Sequence, residues 1–527
     1  MCESAQSFGL KIPKERCGTK GHLNNGIGTN LKRILELNRA QEISGHDTFT
    51  PGHYLRSLDH FDAHARDVLY LGCNSGRGEA VMSILRPYFP ILCVYRSYFI
   101  GDTSRNEGVV VRRPLVNECP VKDGITILNT NRKDSMTQAC PVCESKRTER
   151  FASICVPTEC SVLCASPDQA LSIRRAEVAL AFCPSCGMIF NAAFERSLVK
   201  YDLAYDNSLY HSPAFRSYCS SLIRRLIDTY ELQRKTVIEV GCGDGNFLLE
   251  LCTAGDNRGI GYDPACRATD AFGRVRFVAA MYSPTAAVSA DLICCRHVIE
   301  HIPAPCGFLE CLRSELRPGS LLYIEVPDAM SVLGGDSLWD IIYPHCCYFA
   351  ECSLGAALER VHFKVLQVQR SFAGQFLTMD ARAVDAAQGL RDYGEVPDEI
   401  RIVAESVKRF PHRLQDAVRR SATFIEGAAQ DGARLALWGA GAKSVTFVNL
   451  VPGADRIPIV VDLNPRKQGM FIPGTAQPII SPSRLADRPP DIVMLLNPAY
   501  MEEVGKFLDA MKIQSRLYVV SQGVFMP

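Results

Sequence analysis

The stretch CCRHVIEHIP, residues 294 to 303, sets His297, Glu300 and His301 in the order H-x-x-E-H. Histidines four residues apart share one helix face, and a carboxylate beside them can act as general base, as in one class of zinc hydrolase. A second metal-ligand pattern lies upstream: CPVC, with Cys140 and Cys143, and CPSCG, with Cys183 and Cys186. Each C-x-x-C pair can occupy a tight turn that aims two thiolates at one ion, and two such turns complete a tetrahedral four-sulfur zinc site. The other reading is a redox pair, but neither C-x-x-C opens a thioredoxin-like strand-helix-strand unit. Structural zinc is therefore expected at Cys140, Cys143, Cys183 and Cys186, with Cys155, Cys160 and Cys164 between them as substitute ligands. A zinc with four sulfur ligands has no open position, so it would staple a small domain and not catalyse.

The elements around H-x-x-E-H point away from a zinc hydrolase. KTVIEVGCGDGNFLLEL, residues 235 to 251, reads as a strand ending at Glu239, an unobstructed turn at Gly241, Gly243 and Gly245, and a helix with Phe247, Leu248 and Leu251 on one face. RGIGYD then gives a second strand ending on Asp263, some twenty residues after the turn, placed to accept both hydroxyls of a ribose. VRFVAA is a third strand and ADLICCR a fourth, which leads into the histidines; LRPGSLLYIEVPD supplies a helix end, a Pro-Gly turn and a fifth strand. The expected fold is α/β, an open doubly wound sheet with its ligand at the carboxyl ends of the strands. His297 then faces a ligand pocket, and the H-x-x-E-H spacing is an accident of another motif.

Composition sets limits on the rest. The chain has 527 residues, 47% apolar and 22% charged, enough for two to four globular domains. A formal net charge of +1 gives no basic field for nucleic acid or an anionic membrane. The start lacks an apolar stretch behind a basic head, and no apolar run reaches membrane-spanning length, so a cytoplasmic protein is expected. The 23 cysteines lie in apolar stretches such as DLICC and PHCCYF and read mostly as reduced, buried small hydrophobes.

Four sections follow: 1–135, 136–200 with the cysteine pairs, 201–380 with the sheet just described, and 381–527. In the first, RDVLYLGCNSGRGEAV (66 to 81) reads as strand, Gly turn and helix start, an accessory α/β segment without an acidic strand end. The last opens with charged helical sequence and reaches ARLALWGAGAKSVTFVNLV (433 to 451), again strand, Gly turn and helix, then a strand ending on Asp462. Its fingerprint has Gly439 and Gly441, but Ser444 stands at the third glycine and is expected to crowd the helix against the strand. A second Rossmann-like unit forming one wall of a substrate cleft is the reading, with Lys443 as a solvated lysine.

E-V-G-C-G-D-G, the acidic second strand end, D-L-I-C-C-R-H-V-I-E-H-I and L-R-P-G-S together resemble the class I S-adenosylmethionine-dependent methyltransferases. That resemblance places Glu239, Gly241, Gly243 and Gly245 around the methionine part of the cofactor and Asp263 around its ribose; Arg296 and His297, after the fourth strand, line the methyl-transfer pocket. The order of parts, with YDNSLYHSPAFRSY, WDIIYPHCCYF, AGQFL and WGAGAK, resembles the three-domain sugar C-methyltransferases over about residues 140 to 520. The family methylates a carbon beside the ketone of a nucleotide-linked deoxy sugar, and it implies a base after the fifth strand that takes the proton alpha to that ketone. Here the stretch is Tyr343, Pro344, His345, with Pro344 where the family has Glu. His345 is the expected base, since neutral imidazole is available near pH 7. Tyr343 and Tyr205 or Tyr210 are candidates to hydrogen-bond the enolate oxygen, and His297 or His301 to assist with the proton. Gln375 reads equally as a loop residue or a substrate contact. Alternatives are O- or N-methylation of another small molecule, or an inactive zinc-containing interaction protein; the oligomeric state is open.

Overall fold

A computed structural model describes residues 138–527 except 268–272, 285–288, 386–396, 522–523 and 527; before residue 138 it describes four strands. The chain divides into Met1–Glu118 and Cys119–Pro527. In the first unit, Leu69–Gly72 pairs in parallel with Leu92–Ile100, which pairs antiparallel with Val109–Pro114. The strand expected within residues 66–81 is thus present, whereas Gly76 and Gly78 lie outside the described residues.

The second unit is built on three sheets. Its central one has strands β1 (Thr236–Val240), β2 (Arg258–Tyr262), β3 (Val275–Val278), β4 (Ala290–Arg296), β5 (Leu316–Pro327), β6 (Phe363–Ser371) and β7 (Phe376–Ala383). Their spatial order is 3-2-1-4-5-7-6, with β1 to β5 parallel and β7 antiparallel to both neighbours. Parallel strands covered on both faces read as continuous apolar runs, which is why ICC in β4 and YIEV in β5 are buried throughout. Helix α1 (Pro213–Tyr230) starts where the Ser212 side chain accepts the Phe215 N–H and Pro213 needs no partner. Helix α2 (Asn246–Gly255) follows the Gly turn, and α3 (Pro305–Ser314) starts on Pro305. The expected Pro-Gly turn before the fifth strand is instead a bulge inside it: Leu316 pairs with Ala290, and the next partners are Leu321 and Leu292. Gly319, at φ 93, supplies the left-handed step.

After β7 the chain forms α4 (Asp398–Gln430) and a third sheet whose first strands enclose α5 (Ala442–Leu450). Strands β8 (Leu435–Trp438), β9 (Val460–Val461), β10 (Ile479–Ile480), β11 (Ile492–Leu495), β12 (Arg516–Ser521) and β13 (Val524–Met526) lie in the order 10-9-8-11-12-13, parallel except for the last. Ser444 does not crowd this Gly turn. Its hydroxyl turns back to donate to the Gly439 carbonyl, so the buried side chain is satisfied on the Gly turn that precedes α5.

The remaining sheet is antiparallel, in the order Cys347–Tyr348, Ile189–Asn191, Arg175–Phe182, Glu149–Pro157, Ile125–Ile127. The four-cysteine section is therefore joined to strands outside residues 136–200, one from each side in sequence. Its core is also shared: one buried cluster runs from Phe151, Ile154 and Leu180 through Ile400, Val403, Val407, Phe410 and Leu414 of α4 to Leu437 of β8. Those α4 residues recur at helical spacing, and Phe410, fully buried, meets Phe151 edge-on at 5.9 Å between ring centroids. Among the described residues no helix is long and apolar enough to cross a membrane.

Phe410→Ala should cost about 3–5 kcal/mol. Urea unfolding measures it; a loss below about 1 kcal/mol would show that α4 does not clamp the two sheets together.

Candidate active site

At the carboxyl end of the central sheet, Gly241, Gly243 and Gly245 all have positive φ, at 77°, 53° and 79°. They do different work. A Cβ on Gly241 would stand 2.2 Å from Val298 Cγ2, and one on Gly245 would meet the Phe277 ring at 2.4 Å, whereas Gly243 has nothing within 4 Å and opens onto a cavity of about 520 Å³. Gly245 does not line that cavity and serves the packing of α2 on β3. Asp263, at the end of β2, ties the turn in place: one carboxylate oxygen accepts the Gly243 N–H at 3.0 Å, the other the Ala265 N–H at 2.7 Å. Glu239, at the end of β1, lines the cavity with Oε2 buried and without a hydrogen-bond partner. Burial pushes its pKa up to about 8 against the pull of the Arg296 charge.

Arg296 is buried beneath this pocket. Its guanidinium lies 4.2 Å from the Phe247 ring centroid and bonds Glu325 through Nε at 3.1 Å and Nη2 at 2.9 Å. Glu325, wholly buried in β5, also accepts the hydroxyls of Tyr218 and, at 2.8 Å, Tyr323. Burial raises a carboxyl pKa, but Arg296 and His297 outweigh it and hold Glu325 well below the usual range. His297 has φ 55, its N–H donates to the Glu325 carbonyl, and its ring Nε2 lies 3.0 Å from Glu325 Oε1 without hydrogen-bond alignment. Burial favours neutral imidazole, yet Glu300 and Glu325 prevail and raise His297 to about 9. The left-handed residue is followed by a 3-10 turn, Ile299–His301, in place of an α-helix. His297 and His301 consequently do not share the face a zinc hydrolase requires.

Glu300 and His301 instead meet His345. Ligand atoms of the three lie within 4.8 Å of one another, and the two imidazole centroids are 4.8 Å apart. Burial pushes both His301 and His345 down to about 4, with His345 further depressing His301 and the charges of His297 and Lys443 acting on His345. His301 Nδ1 lies between the Tyr201 hydroxyl at 2.9 Å and the Pro344 carbonyl at 3.0 Å; the carbonyl only accepts, whereas the hydroxyl can donate or accept. His345 Nδ1 and the Tyr210 hydroxyl are buried without a partner, and both residues line the cavity. Tyr205 lines it as well. Tyr343 does not: its hydroxyl accepts the Glu195 N–H at 2.9 Å and its ring packs on Phe194, because residues 338–343 feed the core under the antiparallel sheet.

The far wall comes from the third sheet. Asp462 repeats the arrangement of Asp263, its carboxylate accepting Ala440 N–H and Asn464 N–H, each at 2.7 Å. Lys443 is not solvated; Nζ donates to Gln375 Oε1 at 2.7 Å, and Gln375 also bonds Asn497. Arg466 crosses to the cofactor turn, bonding Asp206 and, at 2.6 Å, Asp244. Neither Glu325 nor Arg466 was flagged by motif or spacing, and Glu300 only as the carboxylate of H-x-x-E-H. Glu325, an acid inside the apolar run YIEV, was the one signal available.

Elsewhere the two C-x-x-C turns converge. Cys140 Sγ is 3.5 Å from Cys186 Sγ, Cys143 Sγ is 3.5 Å from Cys183 Sγ, and all four lie within 4.8 Å of one another. Each turn closes with a left-handed residue after its second cysteine, Glu144 at φ 62 and Gly187 at φ 77. Tetrahedral zinc–sulfur geometry puts sulfurs about 3.8 Å apart, so the cluster fits one ion.

A 3-2-1-4-5-7-6 sheet with an acid–Gly-turn–acid pocket at its carboxyl ends defines a class I methyltransferase. Residues 210–368 match the family model for a methyltransferase domain, and residues 398–520 that for a C-methyltransferase C-terminal domain. The chain is 27% identical over 291 residues to the C-methyltransferase NovU of Streptomyces niveus, spanning 51% of this chain and 67% of that one. Solved structures similar to part of the chain include an S-adenosylmethionine-dependent methyltransferase of Mesorhizobium loti (15% identity, 31% of this chain and 96% of that one, TM-score 0.27). Another is that of Clostridium acetobutylicum (11% identity, 32% and 92%, TM-score 0.27). The chain belongs to the S-adenosylmethionine-dependent C-methyltransferases with a class I core.

Two outcomes follow. Gly241→Ala should weaken S-adenosylhomocysteine binding at least about tenfold in calorimetry, since the new methyl displaces Val298 and the backbone is left-handed; unchanged affinity would contradict the turn assignment. Neutral His301 and His345 stabilise the fold above the ordinary histidine pKa of about 6.5, and that contribution is lost as pH falls toward about 4. The double variant His301→Asn/His345→Asn should accordingly lose less stability than the wild type over that interval, and parallel losses in thermal melts would contradict it.

Proposed function

We propose that this enzyme methylates the carbon alpha to the ketone of a nucleotide-linked keto-deoxy sugar, with the substrate held between the central and third sheets. The observation that carries the reading is a cavity joining the methyltransferase turn to a second Gly turn and acid, Gly439, Gly441 and Asp462, with neutral histidines on its wall. A second Gly turn suits the diphosphate and ribose of a nucleotide.

Glu239, with its orphaned oxygen, the open face of Gly243, and Asp263 fit S-adenosylmethionine. Arg296 and His297 complete the pocket, Arg296 from below through its pair with Glu325. Bound there, the cofactor would supply an electrophilic methyl on a sulfonium, with the sulfur as leaving group.

The chain's own residues prepare that carbon. His345 takes the alpha proton; the C–H pair becomes the enolate double bond and the carbonyl pair moves onto oxygen. Neutral imidazole in a buried site is suited to this step. The enolate oxygen is held by the Tyr210 hydroxyl, which lacks another partner, and by the positive charge of His297. Tyr343, turned into the core, takes no part.

Zinc at Cys140, Cys143, Cys183 and Cys186 completes the fold under the central sheet and does no chemistry. Metal analysis should find about one zinc per chain, lost in Cys140→Ser/Cys183→Ser; a full complement in that variant would contradict the site.

The test of the reading is exchange in deuterium oxide. With S-adenosylhomocysteine bound, the enzyme should exchange the hydrogen alpha to the ketone of a keto sugar nucleotide, and His345→Asn should reduce the rate at least about 100-fold. Full exchange in His345→Asn would overturn the base assignment.

A further inference from the structure

Glu300 is the least explained charged residue in the cavity. It is 2% exposed, and neither carboxylate oxygen has a hydrogen-bond partner. A buried carboxylate without donors is costly and is found where some event supplies a donor. Three histidine rings stand beside it, and the Tyr205 hydroxyl is near enough to feel its charge.

His297 Nδ1 stands 3.7 Å from Glu300 Oε1, an ion pair beyond hydrogen-bond distance, and its Nε2 faces Glu325. His301 already engages the Tyr201 hydroxyl and the Pro344 carbonyl through Nδ1. His345 is left. Its ring nitrogen lies within 4.8 Å of the Glu300 carboxylate, and although the ring also meets the Asp340 backbone, its Nδ1 is buried without a partner. Two adjacent buried groups, one lacking a donor and the other an acceptor, are complementary, and both line the cavity. The neighbouring Pro344 offers His345 no side-chain partner.

We propose that Glu300 is the positioning carboxylate of the proton transfer. It accepts the N–H of His345 as the site closes on substrate, fixes the tautomer whose other nitrogen presents a lone pair to the alpha carbon, and holds the imidazolium formed when that nitrogen takes the proton. This rests on His345 being the base. The C–H pair stays with the substrate as the enolate, and the proton resides on His345 until solvent removes it. A carboxylate that orients a histidine in this way acts through the ring and does not touch substrate.

The experiment uses the full chain with S-adenosylhomocysteine bound. Nitrogen-15 histidine NMR, with the His345 signals assigned by their loss in His345→Asn, reads the tautomer in wild type, Glu300→Gln and Glu300→Asp. One dominant tautomer is expected in wild type and Glu300→Asp, and a mixed or reversed ratio in Glu300→Gln. Alpha-hydrogen exchange of the keto sugar nucleotide should fall about 100-fold in Glu300→Gln and recover partly in Glu300→Asp, with S-adenosylhomocysteine affinity held within about twofold. An unchanged tautomer together with unchanged exchange in Glu300→Gln overturns the proposal. Absence of exchange in the wild type removes the base reading itself, while the NMR result still reports whether Glu300 and His345 are paired. A second metal ion per chain beyond the four-cysteine site, lost in Glu300→Gln and needed for exchange, would overturn the proposal by making Glu300, His301 and His345 ligands.

Discussion

A single buried carboxylate, Glu325, organises the end of the central sheet. A charge with no exposure has to be paired where it sits. Glu325 meets this with Arg296 from β4, two tyrosine hydroxyls and the positive ring of His297, while its own backbone carbonyl fixes the His297 N–H. Three consequences reach the site. Arg296 is pinned against Phe247 of α2, directly after the Gly turn. His297 is held in a left-handed conformation that ends β4 and turns the chain into Ile299–His301. The fixed charge of His297 helps keep His345 neutral. Gly turn and histidine wall are set by one cluster of ion pairs.

The cavity is completed from the third sheet, and the contact between the two halves is polar and specific. Arg466 reaches Asp244 inside the cofactor turn, and Lys443, Gln375 and Asn497 form a bonded chain across the opposite side. Such bonds fix the two walls of the cavity relative to each other, as the proposed alignment of substrate and methyl donor requires. The repeated use of an acid to hold a Gly turn, Asp263 in one sheet and Asp462 in the other, sets two similar turns facing one space.

Much of this was legible in the sequence because it follows from local pattern. Strand, Gly turn and helix recur at 235–251 and 433–451, each with an acid at the next strand end, and the paired cysteines carry their spacing openly. What was hidden depends on side chains meeting across elements. Tyr343 looked like a pocket residue beside His345, but Tyr343 and Pro344 form a turn closed by the His345 N–H on the Ile342 carbonyl, and Tyr343 joins the core under the antiparallel sheet. Lys443 read as solvated because its partner, Gln375, is 68 residues away. Ser444 was expected to crowd a helix start and instead satisfies itself on Gly439. The H-x-x-E-H spacing implied a helix that the φ of His297 forbids. Its last two residues take part in a cluster with His345, which no spacing within the motif could announce.

Carbon methylation beside a ketone is the centre of this account. The most direct test is NMR of the product formed from S-adenosylmethionine carrying a carbon-13 methyl and a keto sugar nucleotide in deuterium oxide. A labelled methyl bonded to carbon, with one-bond carbon–carbon coupling when the sugar is also labelled, is the predicted result. A labelled methyl on oxygen or nitrogen, with the alpha hydrogen retained, would contradict it.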